Sequence, residues 1–585
     1  MKKNFTNKLT LSQHNYKLKN LPYTKTRKLS LRVYFTLILT IFLIFLIPSG
    51  CKNKFSKLLS YSTQNIPKNL DPQTATDSNE ISVVNNIFEG LYKRNLDGSF
   101  SLAAAQNVQK DNNSTKYIFT IKKNNIWQLN STNKTIKKQF ERPINASDFE
   151  FAFKRLLNPE TKSPFAQNYY FIKNAQQIHT GKLSPDNLGI YSKNDQLIVE
   201  LEHPVPNLEE LLSLAPTMPC NKEFFNYTKG RYGLNLDTVL CNGKFYVHQW
   251  PQNQKIKKLR LRVNKNNPDS NNIKILGINL SQRTKLEAFK LINKNEIDSA
   301  IFNATEFNLN KIYSNNKQIF QNSTCGIIFN QNNMLFQNNK IKKALAMSTN
   351  HEQIKNSLNT NTMTKAYGIV PNSVNINKTS YRKLTNNISP LPKYDPELAK
   401  SLFKQGLTEI QNKNSYKNNT KNKKSNKQPQ VNLNNFSILV QENNYNLINE
   451  LLQNWQQTFN LYLKIQVCNN DDYLTKLKNQ NFDCAIITIE NDFNSPSCTL
   501  NQFTNYYDNN TLPELQSLLG TAAKANNEQD MANVYFEAEQ KILHDGAFIP
   551  LFHPNKAFVL NKNFKNVLFI NSCKQLYFEF TQPKK

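Results

Sequence analysis

The chain has 585 residues, too many for one hydrophobic core, so two or three lobes are expected. Its formal net charge is +32, but only ten of the 74 basic residues are Arg, and Lys is scattered among many Asn. Nucleic-acid readers favour bidentate Arg, and no zinc-finger spacing or RNP-type aromatic strand occurs, so no nucleic-acid partner is expected. Mean hydropathy is −0.61, and only the leader approaches the roughly 20 apolar residues of a membrane span.

Residues 1–32 are polar and basic, and 33–47, VYFTLILTIFLIFLI, form an apolar core of signal-peptide length. Ser49-Gly50-Cys51 then resembles a bacterial lipobox. That resemblance implies cleavage before Cys51, whose sulfur would carry a diacylglyceryl anchor. Two acyl chains hold a protein on a membrane where one does not. The long basic region and Pro48, where Leu is usual, leave an uncleaved signal anchor as the alternative. In both cases the body lies outside the cytoplasmic membrane. The expected parts are a signal peptide over 1–50 and a lipid-anchored tether over 51–64.

Asp71-Pro72 marks a turn. The spacing of Ile81, Val84, Ile87, Phe88 and Leu91 predicts a helix from Ser78 to Tyr92. KYIFTIK (116–122) alternates as a strand, with Tyr117, Phe119 and Ile121 on one face. NASDFEFAFKRLLNPE (145–160) is a helix with Ser147 and Glu150 as its capping box, an apolar face of Phe149, Phe153, Leu156 and Leu157, and a stop at Pro159. DQLIVELEHPVP (195–206) is a strand running into a turn. Ile341, Ala344, Leu345 and Ser348 share a helix face. YDPELAKSLFKQGL (394–407) places Asp395 as N-cap, Pro396 first and Gly406 just past the helix end. Residues 409–430 are rich in Lys and Asn and read as a disordered insertion. Strands resume at 436–440 and 484–489, and a helix closes the series at 531–543.

Seven cysteines remain if Cys51 is modified, so they cannot all pair; Cys325 and Cys484 are one possible bridge. GxxxxGK[ST], HExxH, GxSxG and CxxC are all absent, and the seven histidines are spread singly. No catalytic constellation emerges, and neither an enzyme nor a cofactor is expected.

Taken in order, these segments resemble the extracellular solute-binding proteins of peptide-type ABC transporters, the oligopeptide-binding family 5. The resemblance is carried by NLDPQTATDSNEISVVNNIFEGLYKRNLDGSFSLAAAQ (69–106) and RPINASDFEFAFKRLLNPETKSPFA (142–166), then CNGKFYVHQW (241–250) and CGIIFNQNNMLFQNNKIKKALAMSTN (325–350). KAYGIVP (365–371) and YFEAEQKILHDGAFIPLF (535–552) complete it. It implies an α/β, two-lobed, hinged periplasmic-binding-protein-like fold with a side domain. Lobe I would comprise 55–95, 213–324 and 548–585, the side domain 96–212 and lobe II 325–547, with hinges near 325 and 548.

For function it implies a monomer that captures an oligopeptide by hinge closure and passes it to ABC permease subunits. In FDCAIITIENDFNSPSC (482–498), Asp492-Phe493-Asn494-Ser495-Pro496 matches the family spacing in which Asp accepts the peptide α-ammonium. An ammonium taken into a closed cleft needs such a fixed carboxylate. Phe165 stands where peptide binders often have a cleft-facing Tyr. The backbone of Asp77, Ser78 and Asn79 matches the edge on which a peptide pairs as an added strand. Two positions depart from the pattern: Ile489 replaces a common Trp, and Ile486 replaces an Arg that meets the ligand carboxylate in some members. A non-peptide cargo (metal chelate, haem or sugar) therefore stays open, as does a peptide-sensing or adhesion lipoprotein not dedicated to transport.

Overall fold

The computed structural model describes residues 57–584, apart from 252–257, 313–315, 358–361, 420–430, 442–447, 492 and 507–511. The leader, the lipobox with Cys51, most of the insertion and Asp492 thus lie outside the described residues. From Phe55 onward the chain forms one compact unit.

Two sheets organise it. The first has seven strands in the spatial order Phe245–Gln249, Lys258–Val263, Gly277–Gln282, Leu58–Thr63, Ser299–Asn303, Lys556–Leu560 and Asn316–Phe320. Its central strand Leu58–Thr63 runs parallel to Gly277–Gln282 and makes a parallel bridge to Ser299. That strand corrects the expected tether: the second half of 51–64 is sheet, with Leu59 and Tyr61 buried. LLSYST carries only a short alternation, and two parallel neighbours distant in sequence complete it.

The second sheet has six strands, ordered Met363–Lys365, Phe548–Pro554, Ser323–Phe329, Cys484–Glu490, Phe436–Gln441 and Leu463–Cys468. Successive strand residues face opposite sides. Cys325, Ile327, Phe329, Ile438 and Ile486 therefore enter one core, while Ile328, Leu439, Ile487 and Ile489 enter another. Burial on both faces explains the unbroken apolar runs read as strands. A four-stranded antiparallel sheet of Ala105–Lys110, Lys116–Ile121, Gln196–Glu200 and Ile190–Lys193 shares a continuous core with the first sheet. We call these two sheets with their core the first body, and the second sheet with its two cores the second body.

The chain leaves the first sheet at Phe320, enters the second at Ser323, and returns between Pro554 and Lys556. The strand Phe548–Pro554, placed in lobe I by sequence, is hydrogen-bonded to Ser323–Phe329 and Met363–Lys365 in the second sheet. Ser323 and Thr324 belong to that sheet as well.

Several local expectations shift. The helix Ser78–Ile87 stops before Tyr92, because the Asn242 side chain binds both Glu89 N (3.1 Å) and Glu89 O (2.9 Å), the groups that would extend it. The helix Ala146–Leu157 is capped by Asn145 and Asp148, two residues earlier than the Ser147/Glu150 pair. Phe149, Phe153, Leu156 and Leu157 are buried as expected. The helix beginning at Pro396 runs through Gly406 to Asn419, so 409–419 are helical and not part of a disordered insertion. Gly406 is a packing residue: a Cβ there would lie 2.8 Å from both Asn338 Oδ1 and Ile341 Cγ1. No disulfide forms among the described cysteines. Cys325 stands opposite Thr488 and Cys484 opposite Phe329, with both thiols buried.

Candidate functional site

The strand Cys484–Glu490 ends where the chain crosses between the two sheets. Asn491 N donates to Asn322 O at 3.0 Å, so the segment after the strand begins at the first crossing. Phe493 is half-buried, and its carbonyl accepts from Ser495 N at 2.9 Å. Ser495 caps the short helix Pro496–Leu500 through Ser497 N, with Pro496 at its first position. The described residues Phe493-Asn494-Ser495-Pro496 thus form a tight turn that leads into this helix. Asn322 and Asn491 each keep a buried side-chain Nδ2 with no acceptor among the described residues. Buried donors of this kind are costly until water or a ligand accepts from them.

Charge concentrates at the crossings. Lys556 Nζ, on the returning segment, lies 2.7 Å from Glu490 Oε1 and 2.9 Å from Asn322 Oδ1. Lys574 pairs with the other oxygen of Glu490. Burial alone would raise the Glu490 carboxyl, but Lys556 and Lys574 beside it hold it down to about 2. Burial pulls the Lys556 ammonium down to about 8, against the attraction of Glu490 and with the repulsion of Lys574. Gln321 Nε2 adds bonds to Asn555 Oδ1 (2.7 Å) and Thr364 Oγ1 (2.9 Å), tying one crossing to the other.

Asn494 is buried and takes a cross-body role. Its Oδ1 accepts from Asn375 N at 2.9 Å, and its Nδ2 donates to Glu210 Oε1 at 3.1 Å. Glu210 is wholly buried on the short helix Leu208–Leu211 and paired with Arg94. Burial raises its carboxyl above the ordinary range, with Arg94 and Asn494 opposing. Asn377 Nδ2 reaches Pro206 O at 3.4 Å in the same segment.

The other sequence candidates sit elsewhere in the first body. Phe165 is half-buried in the turn after Ser163, whose hydroxyl donates to Gln73 O at 2.6 Å. That bond ties the Phe165 turn to the segment leading into Asp77. Asp77, Ser78 and Asn79 do not form the expected strand edge. Asp77 is the N-cap of the helix Ser78–Ile87, its side chain accepts from Asn79 N at 2.8 Å, and its carbonyl accepts from Ile81 N. Their backbone is spent on helix initiation, because Asp77 and Glu80 complete a capping box. Ile486 and Ile489 are core residues on opposite faces of the second sheet, 2 % and 4 % exposed.

Glu490, Lys556, Lys574, Glu210 and Arg94 were missed by sequence reasoning. Each is one charged residue among many, and none carries a local motif. The exception is Glu490, a charge ending an apolar strand two positions ahead of the sequence D-F-N-S-P.

A family model described as bacterial extracellular solute-binding proteins, family 5 middle, matches residues 99–511. The oligopeptide-binding protein OppA of Bacillus subtilis is 24% identical over 535 residues, covering 88% of this chain and 91% of that protein. The dipeptide-binding protein DppE of the same organism is 23% identical, covering 88% and 90%. Among solved structures, Listeria monocytogenes OppA bound to peptide superposes with a TM-score of 0.69 at 22% identity, covering 91% of this chain and 99% of that one.

Proposed function

This chain belongs to the bacterial extracellular solute-binding proteins of family 5, which are binding proteins and not enzymes, and we propose that its cargo is an oligopeptide enclosed between the two bodies. The hinge is formed by Gln321–Asn322 and Asn555, the only links by which the described chain passes from one sheet to the other. Ligand contact with both bodies favours the closed arrangement.

The observation that carries this reading is the anchored turn at the crossing. Asn491 is bonded to Asn322 on one side, and Asn494 is fixed to Asn375 and Glu210 on the other. Asp492, between them, accepts the peptide α-ammonium, and Phe493 and Phe165 supply apolar wall. The region of Asp77, Ser78 and Asn79 contributes side chains and helix-end groups, not a strand edge. Two relatives that cover most of this chain are named for oligopeptide and dipeptide binding, which supports a peptide cargo. Cys51 carries the diacylglyceryl anchor on the outer face of the cytoplasmic membrane, and the loaded protein delivers to ABC permease subunits. The expected lobe division (55–95, 213–324 and 548–585 for lobe I, 96–212 for the side domain, 325–547 for lobe II) becomes 55–95, 213–322 and 555–585 for lobe I, 96–212 for the side domain and 323–554 for lobe II, because Ser323–Phe329 and Phe548–Pro554 pair in the second sheet.

The test is a calorimetric titration of the leaderless protein, stripped of cargo by unfolding and refolding, with mixed tri- to hexapeptides and with the same pool N-acetylated. The free-amine pool binds and the acetylated pool does not; Asp492→Ala loses the distinction. Binding of neither pool by folded protein overturns the peptide cargo.

A further inference from the structure

Four neighbouring strands of the first sheet, Phe245–Gln249, Lys258–Val263, Gly277–Gln282 and Leu58–Thr63, turn one face into the core and the other outward. Leu59, Leu261, Ile278 and Leu280 are on the core side. The alternation puts Lys258, Arg260 and Arg262 on the outward side, opposite Ser281, Asn279 and Gly277 in turn. Leu58, Ser60 and Ser62 flank the same three residues from the other side. Arg283 N donates to Thr63 O at 2.9 Å, so the pairing runs one residue past Gln282 and sets Arg283 on that face as well. The three arginines are half-exposed, and Lys57 and Lys258 are exposed.

This face lacks counter-charge. None of the four strands contains an acid, and between Asp237 and Glu287 the chain has ten basic residues and one acid, Asp269. Arg94, Arg142, Arg155 and Arg382 each pair with a carboxylate, whereas Arg260, Arg262 and Arg283 pair with none among the described residues. Arg262 Nη1 donates to Leu261 O (2.9 Å) and Asn279 Oδ1 (3.4 Å). Arg260 Nε and Arg283 Nη1 are buried with no acceptor among the described residues. Burial and then the charge of Arg260 lower the Arg262 guanidinium, and burial, Arg262 and Arg260 lower the His248 imidazole. The acids nearest this face are Glu287, which opposes the effect of burial on Arg283, and Asp298, whose Oδ2 accepts from Ser60 N at 2.8 Å. Cations gathered in this way repel one another, and an arriving anion relieves the repulsion.

The chain itself brings a membrane to this face. Leu58 is seven positions after Cys51, so a lipid anchor there keeps the bilayer surface within about 25 Å of the strand end. Leu58 and Arg262 stand on either side of Gly277, two strand spacings or about 10 Å apart. The tether therefore emerges beside the arginines. We propose that this arginine face rests on the headgroups of anionic phospholipids, so that the anchored body lies against the membrane by its first sheet and does not swing freely on its tether. This rests on the lipid-anchor reading of Cys51 and is independent of the cargo. Guanidinium forks match phosphate oxygens bidentately. Two acyl chains already retain the protein on the membrane; the face sets its orientation.

The experiment is cosedimentation of the leaderless protein with mixed phosphatidylglycerol–phosphatidylcholine vesicles and with vesicles of phosphatidylcholine alone. The salt is about 0.15 M, where screening confines attraction to charges within about 8 Å. The protein binds the first vesicles and not the second. Arg260→Gln/Arg262→Gln/Arg283→Gln weakens that binding about a hundredfold, roughly fivefold for each charge. Lys110→Gln/Lys138→Gln/Lys182→Gln removes the same charge from exposed lysines of the side domain and leaves binding within about threefold. Circular dichroism establishes that each variant is folded; if the arginine triple is not, Arg283→Gln, beyond the strand end, reads a loss of about fivefold. Equal losses for the two triples, equal binding to both vesicles, or binding to neither overturn the membrane face. Mass spectrometry of the cell-derived protein that finds Cys51 without diacylglyceryl overturns the anchor and leaves the vesicle result standing.

Discussion

Lys556 Nζ lies 2.7 Å from Glu490 Oε1, joining the segment that returns to the first sheet to the strand that feeds the candidate site. Asn322 Oδ1, from the other crossing, accepts from the same ammonium at 2.9 Å. One lysine thus holds both crossings and the site strand in register, and Lys574 completes the charge balance around Glu490.

Acid should undo this cluster. Glu490 titrates near 2 in the folded protein against an ordinary 4.5. An acid whose folded value is depressed contributes stability that is complete above the unfolded value and lost as pH falls through the folded one. The window is therefore pH 4.5 down to about 2. The carboxylate side chain is 39 % exposed, so solvent screening reduces the contribution to about 1–2 kcal/mol. Urea unfolding at pH 6 and pH 3 checks this: Glu490→Gln shows a smaller loss between the two than the wild type. Equal losses would show that the cluster carries no such linkage.

A second buried ion pair is wholly internal to the second body. Glu539, fully buried, accepts from Arg382 at 2.6 and 2.8 Å, from Tyr381 at 2.9 Å, and from the backbone N–H groups of Ile369 and Val370. Removing one partner of such a pair strands the other, at a cost of about 3–5 kcal/mol. Glu539→Ala lowers the unfolding free energy, read from urea denaturation, by that amount.

Gly406→Ala tests whether packing or propensity wins within a helix. Ala is favoured over Gly by about 1 kcal/mol in a helix interior. Here its Cβ would press on Ile341 and on Asn338, whose Oδ1 caps the helix Asn339–Met347. Overpacking of this kind costs about 1–3 kcal/mol. The net outcome is destabilisation, read as a lower thermal midpoint; a rise would show that the two helices part without cost.

Thiol chemistry reports on the cores. Burial pushes the thiols of Cys220, Cys241, Cys325 and Cys573 up to about 12. The thiolate is the reactive form. The leaderless protein should therefore react with a disulfide reagent only slowly when native, and at seven sites once unfolded in denaturant. A count below seven after unfolding would reveal a bridge.

Local elements were legible where a single face recorded them. The helix Ala146–Leu157 declares itself through four apolar residues on one stripe, and Lys116–Ile121 through alternation. The capping box slipped by two residues because N-A-S-D-F-E offers two overlapping candidates, and only the extended backbone of Asn145 chooses between them. Leu58–Thr63 falls in sequence both in the expected tether over 51–64 and at the start of lobe I from 55, and no local signal decides between them because its strand partners, Gly277–Gln282 and Ser299, lie more than 200 residues away. Gly406 reads in sequence as a helix stop, because a glycine required by close packing of two helices looks the same as one that ends a helix.

By itself the sequence determined the α/β composition and the ordered segments that resemble family 5, and it pointed to an exported chain with Cys51 as the anchor candidate. These follow from hydrophobic periods and short motifs, which act over a few residues. Only the tertiary structure decided that Asn494 meets Glu210 across 284 positions, that Lys556 holds Glu490, and that Asp77 caps a helix where a strand edge was expected. Charge pairs of this kind have no period. They are selected by which desolvated groups the two crossings bring within hydrogen-bond distance, and that depends on the packed chain as a whole.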